Sequence, residues 1–325
     1  APERGALRWP PAGNGSVEKP STPLSEINAA GQRCWQPASF NDARPKTPTA
    51  PNCTSAGKRD SVNCPGQRSI SLSLATVSRM CGRYSVAVSG AALVDVLDLD
   101  GTEPEFEWEP AYSVAPRTRA PVIRDRLIGE QRVSEAFMPT WGLRPSWAKE
   151  KGPRPINARL ETAATNGMFR SAFASARALV PITGYYEWQE TLEDGKKVKN
   201  PSYVHAPGDE LLLAAGLLAF HRQDGDEQWR TTFTIITRTG EDAAGEVHDR
   251  MPVFVTPASW STWLAPEKLE KNQVGDVLDL LDVESRAVAS TLRTRPVSRA
   301  VNNVRTLDRR DAGLIEAVTR GGDDR

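Results

Sequence analysis

Histidine is scarce in this chain, with His205, His221 and His248 the only three among 325 residues, so any catalytic imidazole must be one of them. Cysteine is scarce too, and Cys34, Cys53, Cys64 and Cys81 fit neither the paired C-x-x-C spacing of a metal site nor a dense disulfide framework. A reducing cytoplasm is the default setting for such usage. No apolar run approaches the roughly 18 residues that a spanning helix needs. The alternating stretch from Ser69 to Ser78 is too short and too polar to be an exception. No repeat is present, and no Gly-rich phosphate loop follows a strand. Net charge is absent as well, at 41 Lys and Arg against 41 Asp and Glu.

That neutrality conceals an asymmetry. Residues 1–79 hold ten Lys/Arg against five Asp/Glu and ten of the 25 prolines, with almost no periodic apolar pattern before Ile70. Such composition predicts a disordered Pro/Ser-rich extension, and it leaves residues 80–325 as a single, mildly acidic domain. A domain of that sign cannot hold nucleic acid by bulk attraction, so any such binding needs a local cluster of arginines. Residue 1 is Ala, and a start codon assigned upstream of the true one would account for residues 1–79. A regulatory arm is the rival reading.

From Met80-Cys81-Gly82-Arg83-Tyr84 onward the chain alternates short strands with short helices. Residues 83–88 and 178–182 read as strands, 91–99 and 163–176 as helices, and 115–120 as an ordered loop carrying Arg117 and Arg119. Asp194-Gly195 and Asp224-Gly225 each lie between strand-like runs and predict hairpins. A strand over 250–255, a helix opened by Thr256-Pro257, helical material over 271–281 and a last strand near 296–304 complete the pattern. The expected class is α+β, mainly antiparallel sheets curled toward a barrel with peripheral helices.

Several residues in this frame can do chemistry. If Met80 were an initiator and were trimmed, Cys81 would carry a free α-amino group beside its thiol, a 1,2-aminothiol. The amine condenses with an aldehyde and the thiolate closes on the imine carbon to give a thiazolidine; both groups, near pKa ~8 and ~8.5, are partly nucleophilic at neutral pH. The plain alternative is a small, inert residue at the start of a strand. Glu187 stands among Tyr185, Tyr186 and Trp188 after an apolar strand, where partial burial raises a carboxyl toward the range of a general acid. A water-exposed strand end is the alternative. His248 lies beside Asp249-Arg250, which can set its pKa around neutrality, whereas His205 and His221 sit in strand contexts that suit packing. Asn157 can orient a reacting group or cap a turn. Trp141 and Trp147, close together in sequence, suit either packing or base stacking.

Taken in order, Cys81-Gly82-Arg83-Tyr84, Trp141-Gly142-Leu143 with Pro145-Ser146-Trp147, Asn157-Ala158-Arg159 with Glu161-Thr162, Val180-Pro181 through Gly184-Tyr185-Tyr186-Glu187-Trp188, and His248-Asp249-Arg250-Met251-Pro252 closely resemble the motifs of the SOS response-associated peptidase (SRAP) family. These are the abasic-site processing proteins, and the resemblance runs from Met80 to about Val304. It implies that Cys81 crosslinks to the ring-opened sugar of an abasic site in single-stranded DNA through a thiazolidine, with lyase chemistry and self-reversal attached. By the same resemblance Asn157 positions the sugar, Glu187 donates and accepts protons, and His248 assists ring opening and reversal. Arg83, Arg159 and Arg250 look like phosphate-binding arginines, and Trp188 like a base-stacking wedge. The resemblance implies no metal or organic cofactor, no membrane, single-stranded DNA containing abasic sites as the partner, a monomer, and a cytoplasmic, nucleoid-associated setting. As written, however, the nitrogen of Cys81 is an amide. Either translation starts at Met80, or a thiol autopeptidase built on Cys81, Glu187 and His248 removes the preceding segment.

Overall fold

A computed structural model describes residues 82–102, 106–222 and 228–319. The expected disorder of residues 1–79, the expected nucleophile Cys81 and the expected Asp224-Gly225 turn lie outside the described residues. The strands are β1 (Tyr84–Val86), β2 (Ala111–Val114), β3 (Val122–Ile128), β4 (Gln131–Phe137), β5 (Thr140–Trp141), β6 (Asn157–Arg159), β7 (Arg177–Ile182), β8 (Gly184–Glu193), β9 (Lys196–His205), β10 (Leu212–His221), β11 (Arg230–Thr239), β12 (Arg250–Pro252) and β13 (Arg293–Pro296). They form a five-stranded sheet in the order β13-β9-β8-β1-β2 and a larger sheet in the order β12-β11-β10-β7-β3-β4. Both are antiparallel, except that β5 and β6 add to the other flank of β11 in parallel. Mostly antiparallel sheets, one curled into a half barrel, with a few helices around them, agree with the expected class.

The continuous apolar runs at β7 and β10 follow from burial on both faces. Ala178, Val180 and Ile182 of β7 face a core shared with Tyr84, Tyr185 and Val204 of the first sheet. Leu179 faces the opposite way, with Leu213, Ala215 and Leu217 of β10, onto Phe173, Trp263 and Leu281 from the helices. A third cluster, with Tyr186, Tyr203, Val297, Val301 and Leu314, covers the far side of the first sheet. The chain changes sheets at Thr183, whose N–H donates to Ser85 O at 2.9 Å. Gly184 follows because a Cβ there would lie 2.2 Å from Tyr203 Cζ. Only a residue without a side chain lets the Tyr203 ring cross the strand and reach Ser85 Oγ at 2.7 Å.

Local expectations were met unevenly. The Asp194-Gly195 hairpin is present between β8 and β9, both residues with positive φ (49° and 74°), as a primed turn requires. The helix expected over 163–176 is instead two short pieces, Leu160–Ala163 and Arg170–Ser175. Asn166 breaks it: its Oδ1 accepts the Met168 N–H at 2.8 Å, an Asx turn that competes with the helical ladder. The strand expected over 250–255 ends as β12 at Pro252, and the next residues wedge between diverging neighbours, Val253 N–H donating to Ile236 O and Val255 N–H to Leu213 O. The helical stretch expected over 271–281 is longer, Val274–Ala289. Among the described residues no helix is long and apolar enough to cross a membrane.

Candidate active site

β1 lies between β2 and β8, with Tyr84 opposite Tyr185. The pairing continues outward, since Tyr186 N–H donates to Arg83 O at 2.9 Å, so the first described residue, Gly82, enters the sheet beside the end of β8 that carries Glu187. The two-residue period puts Glu187 on the same face as Tyr185, toward the core between the sheets, and leaves it 1% exposed. Tyr186 and Trp188 point to the other face.

His248 comes to Glu187 from the second sheet. The one-turn helix Asp242–Gly245 ends with His248 N–H donating to Ala244 O at 3.0 Å. Gly240 makes this turn possible: a Cβ there would stand 2.5 Å from His248 O. The ring is buried, its Nδ1 accepts the Arg250 N–H at 3.1 Å, and its Nε2 lies 3.9 Å from Glu187 Oε2. Nδ1 thus faces both the Arg250 N–H and the Asp249 carboxylate, while Nε2 faces Glu187. Burial pushes the His248 pKa below its ordinary value, and the Asp249 carboxylate, 2.9 Å from Nδ1, offsets this only in part. The imidazole is therefore neutral at neutral pH, whereas the sequence suggested titration there.

Asn157 and Arg159 lie on β6, opposite Ile235 and Thr237 of β11, while Pro252 flanks Thr237 from the other edge. Asn157 is buried and Arg159 is exposed. Arg250 is buried, and its guanidinium donates to Glu161 Oε1 at 2.6 Å, Glu161 Oε2 at 3.0 Å and Thr237 O at 2.6 Å. The arginine read as a phosphate ligand thus already holds a carboxylate bidentately. Glu161, quoted in sequence only as part of a motif, closes this bridge across β11. Its partner lies 89 residues away, and no local pattern signals such a pair.

Arg83 is also buried. It donates to Ser113 Oγ at 2.9 Å and Val301 O at 3.2 Å, and its guanidinium carbon lies 5.9 Å from the centre of the Trp188 ring. Burial lowers its pKa from the ordinary value. Trp188 is half-buried, with Nε1 donating to Asn302 Oδ1 at 2.6 Å, so Arg83 and Asn302 brace the indole from two sides. Trp141, expected at a stacking surface, requires correction: it is wholly buried, edge-on to Tyr84, stacked on Phe233, and donates from Nε1 to Ile156 O at 2.8 Å. Packing consumes both faces. Trp147, its neighbour in sequence, is 65% exposed. Among the described residues no group of three or more His, Cys, Asp or Glu could hold a metal ion.

Glu187 and His248 lie 3.9 Å apart, and Asn157, Arg159 and Arg250 are gathered along one end of β11. The sequence model of the SOS response associated peptidase (SRAP) family matches residues 80–304. The chain belongs to the SRAP family. It is similar to the abasic site processing protein YoqW of Bacillus subtilis, 30% identical over 231 residues that cover 66% of this chain and 95% of that protein. YedK of Escherichia coli, also named an abasic site processing protein, is 29% identical over 245 residues, covering 74% and 100%. The abasic site processing protein HMCES of Gallus gallus is 26% identical over 274 residues, covering 70% and 75%. A crystal structure of a Bacteroides thetaiotaomicron protein shares the fold, with a TM-score of 0.57 at 20% identity over 74% of this chain and 100% of that one.

Proposed function

We propose that this SRAP protein processes abasic sites in single-stranded DNA by a covalent bond through Cys81. The observation that carries the reading is the buried Glu187–His248 pair at 3.9 Å, at the end of the strand paired with the one that Cys81 leads into. One peptide link separates Cys81 from Gly82, about 3.8 Å between Cα atoms. In the reaction the hemiacetal sugar opens as a proton leaves its C1′ hydroxyl and another reaches the ring oxygen. The Cys81 amine adds to the aldehyde, water leaves to give the imine, and the thiolate closes on the imine carbon. One water is released for each thiazolidine formed. Glu187 is the proton donor and acceptor, the neutral His248 imidazole its partner, and Asn157 holds the sugar. β-Elimination from the imine supplies the lyase step, and the same steps in reverse supply release.

Family relatives that carry the name abasic site processing protein support the DNA-processing part of this reading. Exposed Arg159 takes a backbone phosphate directly; Arg83 contributes positive potential from behind, the charge of Arg250 being balanced by Glu161, and Trp188 stacks on a neighbouring base. Such a protein works as a monomer in the cytoplasm at the nucleoid. The chemistry requires an unblocked Cys81 nitrogen, supplied either by initiation at Met80 or by cleavage of the Met80–Cys81 bond with Cys81 as nucleophile.

The test uses protein initiated at Met80, with the free Cys81 terminus verified by mass spectrometry. Incubated with single-stranded DNA containing an abasic site, it gives a complex that survives denaturing electrophoresis. Cys81→Ala loses that complex and keeps reversible binding. Full crosslinking by Cys81→Ala, or none by the verified parent, overturns the assignment. Accurate cleavage after Met80 in the full chain, lost in Cys81→Ala, adds the autopeptidase step.

A further inference from the structure

His248 stands near the end of the connection between β11 and β12, residues 240–249. The connection closes on itself where Gly240 N–H donates to Asp249 O at 2.8 Å. Inside it, Gly245 N–H donates to Glu241 O at 3.0 Å, and Asp242 takes a φ of 50°. A residue other than glycine keeps that left-handed conformation where its surroundings over-determine it. Two anchors hold the middle of the connection. The Ala244 side chain is buried in the core between the sheets, and Gln189, on the same face of β8 as Glu187, donates from Nε2 to Glu246 O at 3.1 Å.

The head of the connection is held by charge. Glu241 Oε1 accepts from Arg238 Nη2 at 3.0 Å and lies 3.0 Å from Arg286 Nη1. Asp282 Oδ1 stands 3.0 Å from the same Arg238 Nη2, and Asp282 Oδ2 accepts from Arg286 Nε at 2.9 Å. Two arginines and two carboxylates therefore alternate round a closed square that joins the end of β11, the first residues of the connection and the helix Val274–Ala289. Arg238 is its hub. That side chain is 4% exposed, its Nε and Nη1 are buried with no partner among the described residues, and Nη2 alone meets both carboxylates. Uncompensated buried charge is costly, so the guanidinium keeps Glu241 and Asp282 in place. Glu241, Asp282 and Arg286 are partly exposed, and each can be changed without opening the core.

We propose that the Arg238–Glu241–Arg286–Asp282 square is a positioning device for His248, tying the head of the connection to the helix Val274–Ala289 so that the imidazole stays buried against Glu187. Glu241 is the positioning residue, and it acts through the backbone: Glu241 O holds the Gly245 N–H, and Ala244 O holds the His248 N–H at 3.0 Å. This rests on the proposed function for the reaction that His248 serves, but the burial of the ring is a property of the fold whatever the substrate. Glu241→Gln separates position from charge by sign. Removing a negative charge near a histidine lowers its pKa if nothing moves. Letting the ring swing toward water raises it, because burial is the main cause that holds the His248 pKa down; the other groups on the ring, Glu187 from β8 and Asp249 and Arg250 beside it in sequence, are untouched by the substitution.

The experiment follows the His248 imidazole of the full chain by NMR titration, with His248→Gln to assign its resonance, and the single-turnover crosslinking rate of protein initiated at Met80. In Glu241→Gln the midpoint rises toward the ordinary ~6.5, and the rate at saturating abasic single strand falls about tenfold, as a small misplacement of an acid–base group brings about. Arg238→Lys keeps the parental midpoint and rate, because one nitrogen serves both carboxylates and the contact does not use the guanidinium fork. Asp282→Asn leaves Glu241 its two arginines and shows the same changes in smaller measure, which keeps the test decisive if Glu241→Gln does not fold. A midpoint that falls or stays in both carboxylate variants overturns the device, and so does a parental crosslinking rate, even where Tm drops. If the parent does not crosslink while the midpoints move as expected, the abasic-site chemistry falls and the device stands.

Discussion

Replacing Glu161 by glutamine removes one charge and almost no volume. Glu161 holds Arg250 with two hydrogen bonds, at 2.6 and 3.0 Å, and Arg250's side chain exposes only a tenth of its area while that of Glu161 is half exposed. Removing one partner of a fully buried pair costs ~3–5 kcal/mol, whereas an exposed pair is worth ~0–1 kcal/mol. A pair with one partner in each environment places Glu161→Gln near ~2 kcal/mol. With unfolding entropy of ~2.1 cal/mol/K per residue over a domain of roughly 240 residues, that lowers Tm by about 4 °C. The loss also depends on pH. The Arg250 hydrogen bond holds the Glu161 carboxyl below its usual value, against the opposing effect of burial. A carboxylate depressed on folding stabilises above its unfolded value of ~4.3, and that contribution disappears as pH falls through the folded value. Thermal melts from pH 3 to 8 should show the difference between parent and variant at neutral pH and its disappearance in acid. Because Arg250 N–H is the donor to His248 Nδ1, a loosened Arg250 also frees the imidazole, and the single-turnover crosslinking rate falls several-fold while affinity for undamaged strand changes little. A variant that melts within about 1 °C of the parent, with the same acid limb, refutes the clamp.

Two further outcomes follow from the geometry. The His248 imidazole, held neutral by burial, titrates below ~6.5 in the folded protein, so its contribution to stability is complete above that value and is lost as pH falls toward the folded pKa; an NMR titration that places its midpoint at or above ~6.5 contradicts the burial argument. Gly184→Ala forces a Cβ to within 2.2 Å of Tyr203 Cζ, and the ring cannot retreat because its hydroxyl is bonded to Ser85 and its plane is stacked on His205. Overpacking of this kind costs ~1–3 kcal/mol, and a Tm unchanged by the substitution shows that Tyr203 has another place to go.

Much of the frame was legible because it rests on short-range physics. Alternation over 84–86, the unbroken apolar run of β7 and the Asp194-Gly195 turn each write their structure into a few neighbouring residues. Asn166 defeated the helix expected over 163–176 because one side-chain oxygen captured a backbone N–H, a choice that apolar spacing does not record. Parallel pairing of β5 and β6 with β11 joins residues 92 and 78 positions apart and has no local signature. In the candidate site, Glu187 and His248 were identified one by one from their neighbours, and their contact could be inferred only from the ordered motifs. Trp141 and Trp147 were indistinguishable as letters; a tryptophan with Tyr84 and Phe233 on its faces packs, and one on a tight surface turn does not.

The site also explains why the domain needs two sheets rather than one. Glu187 projects from the first sheet and His248 from a turn of the second, so their 3.9 Å separation is set by how the sheets pack, not by either hairpin alone. The packing between them is built from Tyr84, Tyr185, Trp141, Phe233 and Phe254, large rings in edge, tilted and stacked contact. Interiors filled at crystal-like density resist displacement by fractions of an ångström, so the separation of the two buried groups is held fixed. Gly184 and Gly240 serve the same end by admitting backbone and ring where a methyl group would push the partners apart. The aromatic core is thus the scaffold that holds two polar groups, each costly to bury alone, 3.9 Å apart between the sheets.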